Sequence, residues 1–86
     1  MDRPGASFRA AAEAAQAGAG IIAARHRGDR AGAKALLDGL SDADQAAGFL
    51  FLADLAVMRL ASREGGSVEA VTEDLKRQIA AQVASL

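Results

Sequence analysis

The sequence contains no cysteine, tryptophan or tyrosine, and it has one proline and one histidine among 86 residues. Without cysteine, the chain can form neither a disulfide framework nor a catalytic thiol. A single histidine, His26, cannot supply the nitrogen and sulfur ligands that a structural zinc site requires. We therefore expect a protein that is not an enzyme and that holds no metal and no cofactor.

An excess of positive charge is also lacking. Ten basic and eleven acidic residues give a formal net charge of −1, so binding to nucleic acid would require a strongly local basic patch. The N-terminal residues lack the apolar core of a signal peptide. The longest apolar stretch, residues 46–61, is shorter than the roughly 20 residues of a bilayer span. The expectation is a cytoplasmic protein with no membrane contact.

The chain is too short to build a large core. Below roughly 80 residues a core seldom supplies more than about 3–5 kcal/mol unless a disulfide, a metal or a partner subunit helps. The first two are excluded above, so a partner subunit remains. We expect a flexible leader over residues 1–6 and a single domain over residues 7–86, with a core built from its large apolar side chains.

Capping residues divide the chain into helices. Serine or aspartate precedes each of four apolar-periodic segments, at Ser7, Asp29, Ser41 and Ser67, and such residues are typical helix N-caps. The predicted helices cover about residues 8–27, 30–38, 42–64 and 68–85. The fold class is therefore all-α, a small four-helix bundle-like domain whose short turns are capped by glycine, aspartate and serine.

The helices differ in how clearly they mark a buried face. The first has an alanine-rich apolar face, predicted to comprise Phe8, Ala11, Ala12, Ala15, Ala19, Ile22 and His26. Gly18 and Gly20 within it indicate either a close helix approach or a kink. The third is apolar nearly all round, which is typical of a helix buried on most sides. The fourth carries one clean stripe of Val68, Val71, Leu75, Ile79, Val83 and Leu86.

The segment RHRGDRAGAK, residues 25–34, concentrates positive charge and contains Arg-Gly-Asp. Helix capping explains it: Gly28 is the expected left-handed residue after one helix, and Asp29 is the N-cap of the next. Gly39 is expected to end the second helix in the same way. An adhesion signal would need an exposed loop on a secreted protein. A basic contact through Arg25, Arg27, Arg30 and Lys34 remains an alternative.

The acidic residues give no strong functional signal. Asp42 and Asp44 resemble the start of a calcium loop, but Ala47 and Ala53 occupy its glycine and glutamate positions, so helix capping is the better interpretation. Asp54 interrupts the apolar run of the third helix and should be exposed or ion-paired. A binding role for Asp54 stays open, as does a catalytic or pH-sensing role for His26.

Nucleic-acid recognition by a helix-turn-helix is disfavoured, because the helix that would enter the groove begins with acidic Asp42 and Asp44. The best interpretation is a small non-catalytic protein–protein interaction module, acting as a homodimer or as a subunit of a larger assembly. A regulator that contacts nucleic acid through the basic junction is the alternative. The third helix offers the expected interface residues, which are Leu52, Leu55, Arg59 and Arg63.

Overall fold

The computed structural model describes residues 4–86, which form four α-helices and no strand. They are α1 (Pro4–His26), α2 (Arg30–Asp38), α3 (Asp42–Glu64) and α4 (Val68–Ala84). The predicted all-α class with four helices is confirmed. The chain divides into two compact units, of which the first ends at Ala53 and the second is Asp54–Leu86. The single domain expected over residues 7–86 stays a prediction.

The start of α1 differs from the prediction. The helix begins at Pro4, so residues 4–6 of the expected leader are helical and Ser7 lies inside the helix instead of capping it. Residues 1–3 lie outside the described residues. Proline suits the first position of a helix because its fixed φ is already helical and its missing N–H would have no intrahelical acceptor there.

The α1–α2 junction has the predicted capping geometry. Gly28 adopts a φ of 81°, its N–H donates to the Arg25 carbonyl at 3.1 Å, and the Asp29 N–H donates to the Ala24 carbonyl at 2.8 Å. This pair of hydrogen bonds is a Schellman motif. The Asp29 carboxylate then accepts from the Gly32 N–H at 2.8 Å and caps α2. Helix capping thus accounts for Arg-Gly-Asp.

The α2–α3 turn corrects one expectation. Gly39 has a right-handed backbone with φ −76°, not the left-handed one found at Gly28. The reason lies in α3, where the Gln45 side-chain amide donates to the carbonyls of Leu37 at 3.3 Å and Leu40 at 3.2 Å. The Leu37 carbonyl also accepts the Leu40 N–H at 3.0 Å, so a backbone and a side-chain donor together complete this helix end. Ser41 caps α3 as predicted and accepts from the Asp44 N–H at 3.1 Å.

The α3–α4 turn repeats the geometry of the first junction. Gly65 has a φ of 69°, and the Gly66 N–H donates to the Ala61 carbonyl at 3.0 Å. Ser67 is the N-cap of α4, as predicted, and its hydroxyl accepts from the Ala70 N–H at 3.1 Å. Glycine is required at residue 65 because the left-handed region is costly for residues with a Cβ.

Packing in the first unit centres on small side chains where α1 meets α2. Ile21, Ala24 and Ala33 form the buried cluster. Three partly buried side chains pack against it, namely Leu37, Leu40 and Phe49. Leu40 follows the end of α2, and its apolar side chain folds back onto this cluster.

The closest helix approach in the first unit joins α1 to α3. A methyl group placed on Gly48 would lie 2.7 Å from both the Cβ and the carbonyl carbon of Ala14. Gly18 likewise lies against the Phe49 ring, where an added Cβ would come within 3.2 Å. Gly18 therefore serves close approach, one of the two roles that the sequence left open.

The buried face of α1 is rotated from the predicted one. Ala14, Gly18, Ile21 and Ala24 are buried although they lie outside the predicted face. Within the predicted face, Ala15 is buried, two alanines are half-buried and four residues are exposed; the half-buried ones are Ala11 and Ala12, and the exposed ones are Phe8, Ala19, Ile22 and His26. Alanine at so many positions makes several faces of this helix almost equally apolar, so periodicity alone selected the wrong one. The face is instead set by where glycine and alanine let α3 approach.

The core differs from the expectation in composition. Five of the seven buried apolar residues are alanines, and the other two are Ile21 and Val71. In α3, only Gly48 and Ala61 are buried, so the prediction that this helix is buried on most sides is wrong. Large apolar side chains mainly occupy exposed or half-buried positions in the described chain.

Asp29→Ala should destabilise the fold by about 0.5–2 kcal/mol, because the Gly32 N–H loses its acceptor. Asp29→Ser should cost much less, since a serine hydroxyl can accept the same hydrogen bond. Urea unfolding measures both free energies. Asp38→Ala is the matched control, because this carboxylate forms only an exposed ion pair with Lys34 that is worth at most about 1 kcal/mol. Equal losses for Asp29→Ala and Asp29→Ser would contradict the capping role.

Gly48→Ala should destabilise the fold by about 1–3 kcal/mol, because the added methyl group meets the α1 backbone, which cannot move aside freely. Gly20→Ala is the control within a helix. Its methyl group would meet only the flexible Leu36 side chain, at 3.2 Å, and it gains about 1 kcal/mol in helix propensity. In thermal unfolding, the melting temperature of Gly48→Ala should therefore be lower than that of the wild type, and the melting temperature of Gly20→Ala should be equal to it or higher. The reverse order would refute the close approach.

Candidate interaction site

Exposed apolar side chains are the main feature of the second unit. Its buried residues are Ala61 and Val71. The large apolar residues that remain exposed in this unit are Leu55, Met58, Leu60, Val68, Ile79, Val83 and Leu86. We call this set the second-unit apolar surface. Scattered exposed leucines are ordinary, but this many in a unit of 33 residues is typical of a surface that another molecule covers.

On α3, the second-unit apolar surface begins at Leu55, the second residue of the unit. Leu55 is 46 % exposed and Met58 is 52 % exposed, and residues three apart on a helix are neighbours. Arg59 follows Leu55 by four residues and is exposed as well. The helix therefore presents two adjacent apolar side chains with a cation beside them, an arrangement common in protein interfaces, where arginine is enriched.

The predicted interface residues are only partly brought together. Leu55, Arg59 and Arg63 are exposed, as expected for contact residues. Leu52 is half-buried, and its Cδ2 would lie 3.6 Å from a Cβ placed on Gly18, so its expected exposure is corrected. Gly18 has no side chain to keep Leu52 out, which is why Leu52 turns toward α1. The interface role of the other three residues stays a prediction.

The first unit has exposed apolar side chains of its own. Leu50 is 72 % exposed. Phe8 is largely exposed too. Its ring packs edge-to-face against the ring of half-buried Phe51, with centroids 5.5 Å apart. A signal for Leu50 was available in the sequence: it follows Gly48 by two residues, about 200° around the helix, so a close approach at Gly48 turns Leu50 away from α1.

The four residues of the basic junction are all exposed, but they are not equivalent. Arg27 lies 3.5 Å from Asp29, and Lys34 pairs with Asp38. Arg25 and Arg30 form no ion pair within the described part of the chain, and together with Ala33 they line a cavity of about 400 Å³. The segment thus offers two unpaired guanidinium groups, one from the last turn of α1 and one from the start of α2.

The remaining candidate groups are placed by the helices that carry them. His26 is exposed in the last turn of α1, where a cation would meet the negative end of the helix dipole. Asp54 is exposed on α3 and forms no ion pair with any residue in the range 4–86. Within the same range, no group of three or more histidine, aspartate or glutamate side chains is arranged to hold a metal ion. No polar or charged side chain of the described chain is buried.

The length of α3 bears on the expectation of no membrane contact, which stays a prediction. The helix has 23 residues, and its most apolar 18-residue window has a mean hydropathy of 1.3, so by length and composition it could cross a membrane. Only 11 % of that window is buried. The expectation counted the apolar run alone, whereas the helix continues through polar residues at both ends.

No known protein family model matches the sequence, and neither a curated protein nor a solved structure is significantly similar to it. The site is therefore defined by its own geometry. Sequence reasoning missed the cap that Gln45 places on α2 and the exposure of Leu50 and Met58. A glutamine four residues after a serine N-cap, and a glycine inside an apolar helix, were the available signals.

Proposed function

We propose that the chain is a small non-catalytic protein–protein interaction module, acting as a homodimer or as a subunit of a larger assembly. The observation that carries the proposal is the second-unit apolar surface. Most of the core consists of alanines, so the large side chains that would stabilise a small fold are largely left at its surface. A partner that buries them would supply the stabilisation that a chain of this size otherwise lacks.

The apolar burial that a second copy would provide is of the same magnitude as the cost of association. Full burial of a large apolar side chain is worth about 1.5–3 kcal/mol, so burial of the exposed half of one gives roughly 1 kcal/mol. Two-fold symmetry uses each side chain twice. Leu55, Met58, Ile79 and Val83 would then contribute roughly 8 kcal/mol together, within the range of about 4–15 kcal/mol that association costs. Further side chains of the same surface add to that sum.

The proposal places the protein in the cytoplasm and away from membranes. Although α3 has the length of a bilayer span, Asp54 lies next to its middle residue, and Arg59 lies five residues before its end. An aspartate or arginine at the centre of a membrane helix costs about 2.5–3.5 kcal/mol. On the first-unit half of α3, Gly48 contacts another helix through Ala14. A helix that contacts α1 at Gly48 and a partner molecule on its exposed side explains the apolar length of α3 and its charged residues without a membrane.

Leu55→Glu should weaken or abolish self-association, because it places a charge in the apolar contact. Ala56→Glu is the matched control, since it adds the same charge at an exposed position of the same helix, pointing about 100° away. Sedimentation equilibrium over a wide concentration range should give a mass above 8.7 kDa for the wild type and the control, and a lower mass for Leu55→Glu. Dissociation of both variants would contradict a specific contact at Leu55. If wild type shows only the 8.7 kDa species and no protein co-purifies from its host, the proposal fails.

The second candidate function, contact with nucleic acid through the basic junction, is favoured by one observation. Arg25 and Arg30 line the same cavity without an acidic partner among the described residues, so both could pair with phosphate. Asp29 and Asp38 offset the charges of Arg27 and Lys34. That offset makes the junction a weaker anion site than its sequence indicates.

Arg25→Gln/Arg30→Gln should lower the salt concentration at which the protein elutes from heparin. Each lost contact between an arginine and a sulfate or phosphate reduces the slope of log affinity against log salt concentration by about one. Arg9→Gln/Arg77→Gln removes the same charge from exposed positions outside the junction and outside the predicted interface residues and serves as the control. Identical elution of the two double variants, or no retention of the wild type, would eliminate the nucleic-acid function.

A further inference from the structure

The apolar stripe of α4 is covered at one end and uncovered at the other. Val71 is 3 % exposed and Leu75 is half-buried. Ile79 is 61 % exposed and Val83 is 63 % exposed, and Leu86, two residues past the end of α4, is fully exposed. Residues four apart lie on one side of a helix, so the second half of the stripe continues a buried surface into solvent.

Charge on α4 is confined to its first half. Four of the five charged side chains from residue 69 to residue 77 pair locally, Glu73 with Lys76 at 2.8 Å and Asp74 with Arg77 at 3.7 Å. From residue 78 to residue 86 no side chain is charged. The last turn of α4 consequently has no basic residue at the negative end of the helix dipole.

We infer that the second half of α4 pairs with the same segment of a second copy of this chain, in antiparallel orientation about a two-fold axis. This inference rests on the proposed function and names its partner and contact. Two uncharged halves can meet without leaving any charge buried and unpaired. A charged partner segment would lose that advantage, because nothing on this half could neutralise it.

The stripe is self-complementary when it is reversed. If Ile79 opposes the partner's Val83, then Val83 opposes the partner's Ile79, and the same register places Leu75 within one residue of the partner's Leu86. The overlap of about eleven residues spans roughly 16 Å. Every contact occurs twice, as an isologous interface requires.

The same register supplies the cation that the end of α4 lacks. Lys76 precedes Ile79 by three residues and therefore borders the stripe. In the antiparallel pair it lies opposite the partner's Leu86, beside the carbonyls of the partner helix end, where a positive charge is favourable. Charge complementarity and apolar matching thus select the same register.

Chemical cross-linking tests the pairing directly, because the chain has no cysteine of its own. Gln82→Cys places two thiols about 3 Å apart along the helix axis in the inferred pair. Glu69→Cys, the control, places them about 36 Å apart. A short bismaleimide should join the first variant into a dimer and leave the second as single chains. Cross-linking of both variants alike, or of neither, overturns the antiparallel α4 pairing.

A dissociation measurement separates this inference from the proposed function. Ile79→Glu should raise the dimer dissociation constant by roughly 100-fold, because the charge enters the interface twice, while circular dichroism stays helical since Ile79 is largely exposed. If Ile79→Glu leaves the dimer intact and Leu55→Glu dissociates it, self-association stands and the α4 pairing is wrong. If the wild-type chain is a monomer that binds a different protein, the pairing is likewise wrong.

Discussion

The approach of α3 to α1 at Gly48 and Ala14 is the constraint on which the first unit depends. Neither residue has a side chain longer than a methyl group, so the two backbones can come close enough that even one more carbon would meet the α1 carbonyl group. Contact at this distance gains dispersion energy from backbone atoms instead of from large side chains. It also fixes the rotation of α3 about its own axis, since the glycine must face α1.

That rotation determines which side chains of the first unit face solvent. With Gly48 turned toward α1, Leu52 follows it four residues later and is half-buried, whereas Leu50 lies on the other side and is exposed. A core of alanine and glycine has little room for leucine. The large apolar residues therefore become surface, and in the second unit the same outcome leaves the apolar residues of α3 and α4 exposed.

The turns have a different role, which is to stop each helix at a defined residue. Gly28 and Gly65 reverse the backbone hand, and Asp29, Ser41 and Ser67 each accept an N–H from the first turn of the next helix. These contacts are local and exposed, so they stabilise helix ends more than they specify packing. The basic residues of the first junction are available to another molecule only where no neighbouring acid pairs with them, which leaves Arg25 and Arg30.

The sequence by itself determined the helices, because capping depends on residues within one turn of each other. Asp29, Ser41 and Ser67 were identified correctly, as was the end at Gly28. Pro4 was missed as a start because a serine N-cap three residues later gave a competing local signal. Gly39 was misassigned because its turn is completed by Gln45, six residues further along the chain.

Only the tertiary structure decided which faces are buried. In α1, alanine occupies several faces at once, so the apolar pattern has almost no preferred direction, and close approach to α3 selects the face that holds Gly18 and Ile21. In α3 and α4, the pattern marks apolar stripes but not how much of each stripe the rest of the chain covers. Burial depends on the space between helices, and that space is set by contacts between residues far apart in the sequence, such as Ala14 and Gly48.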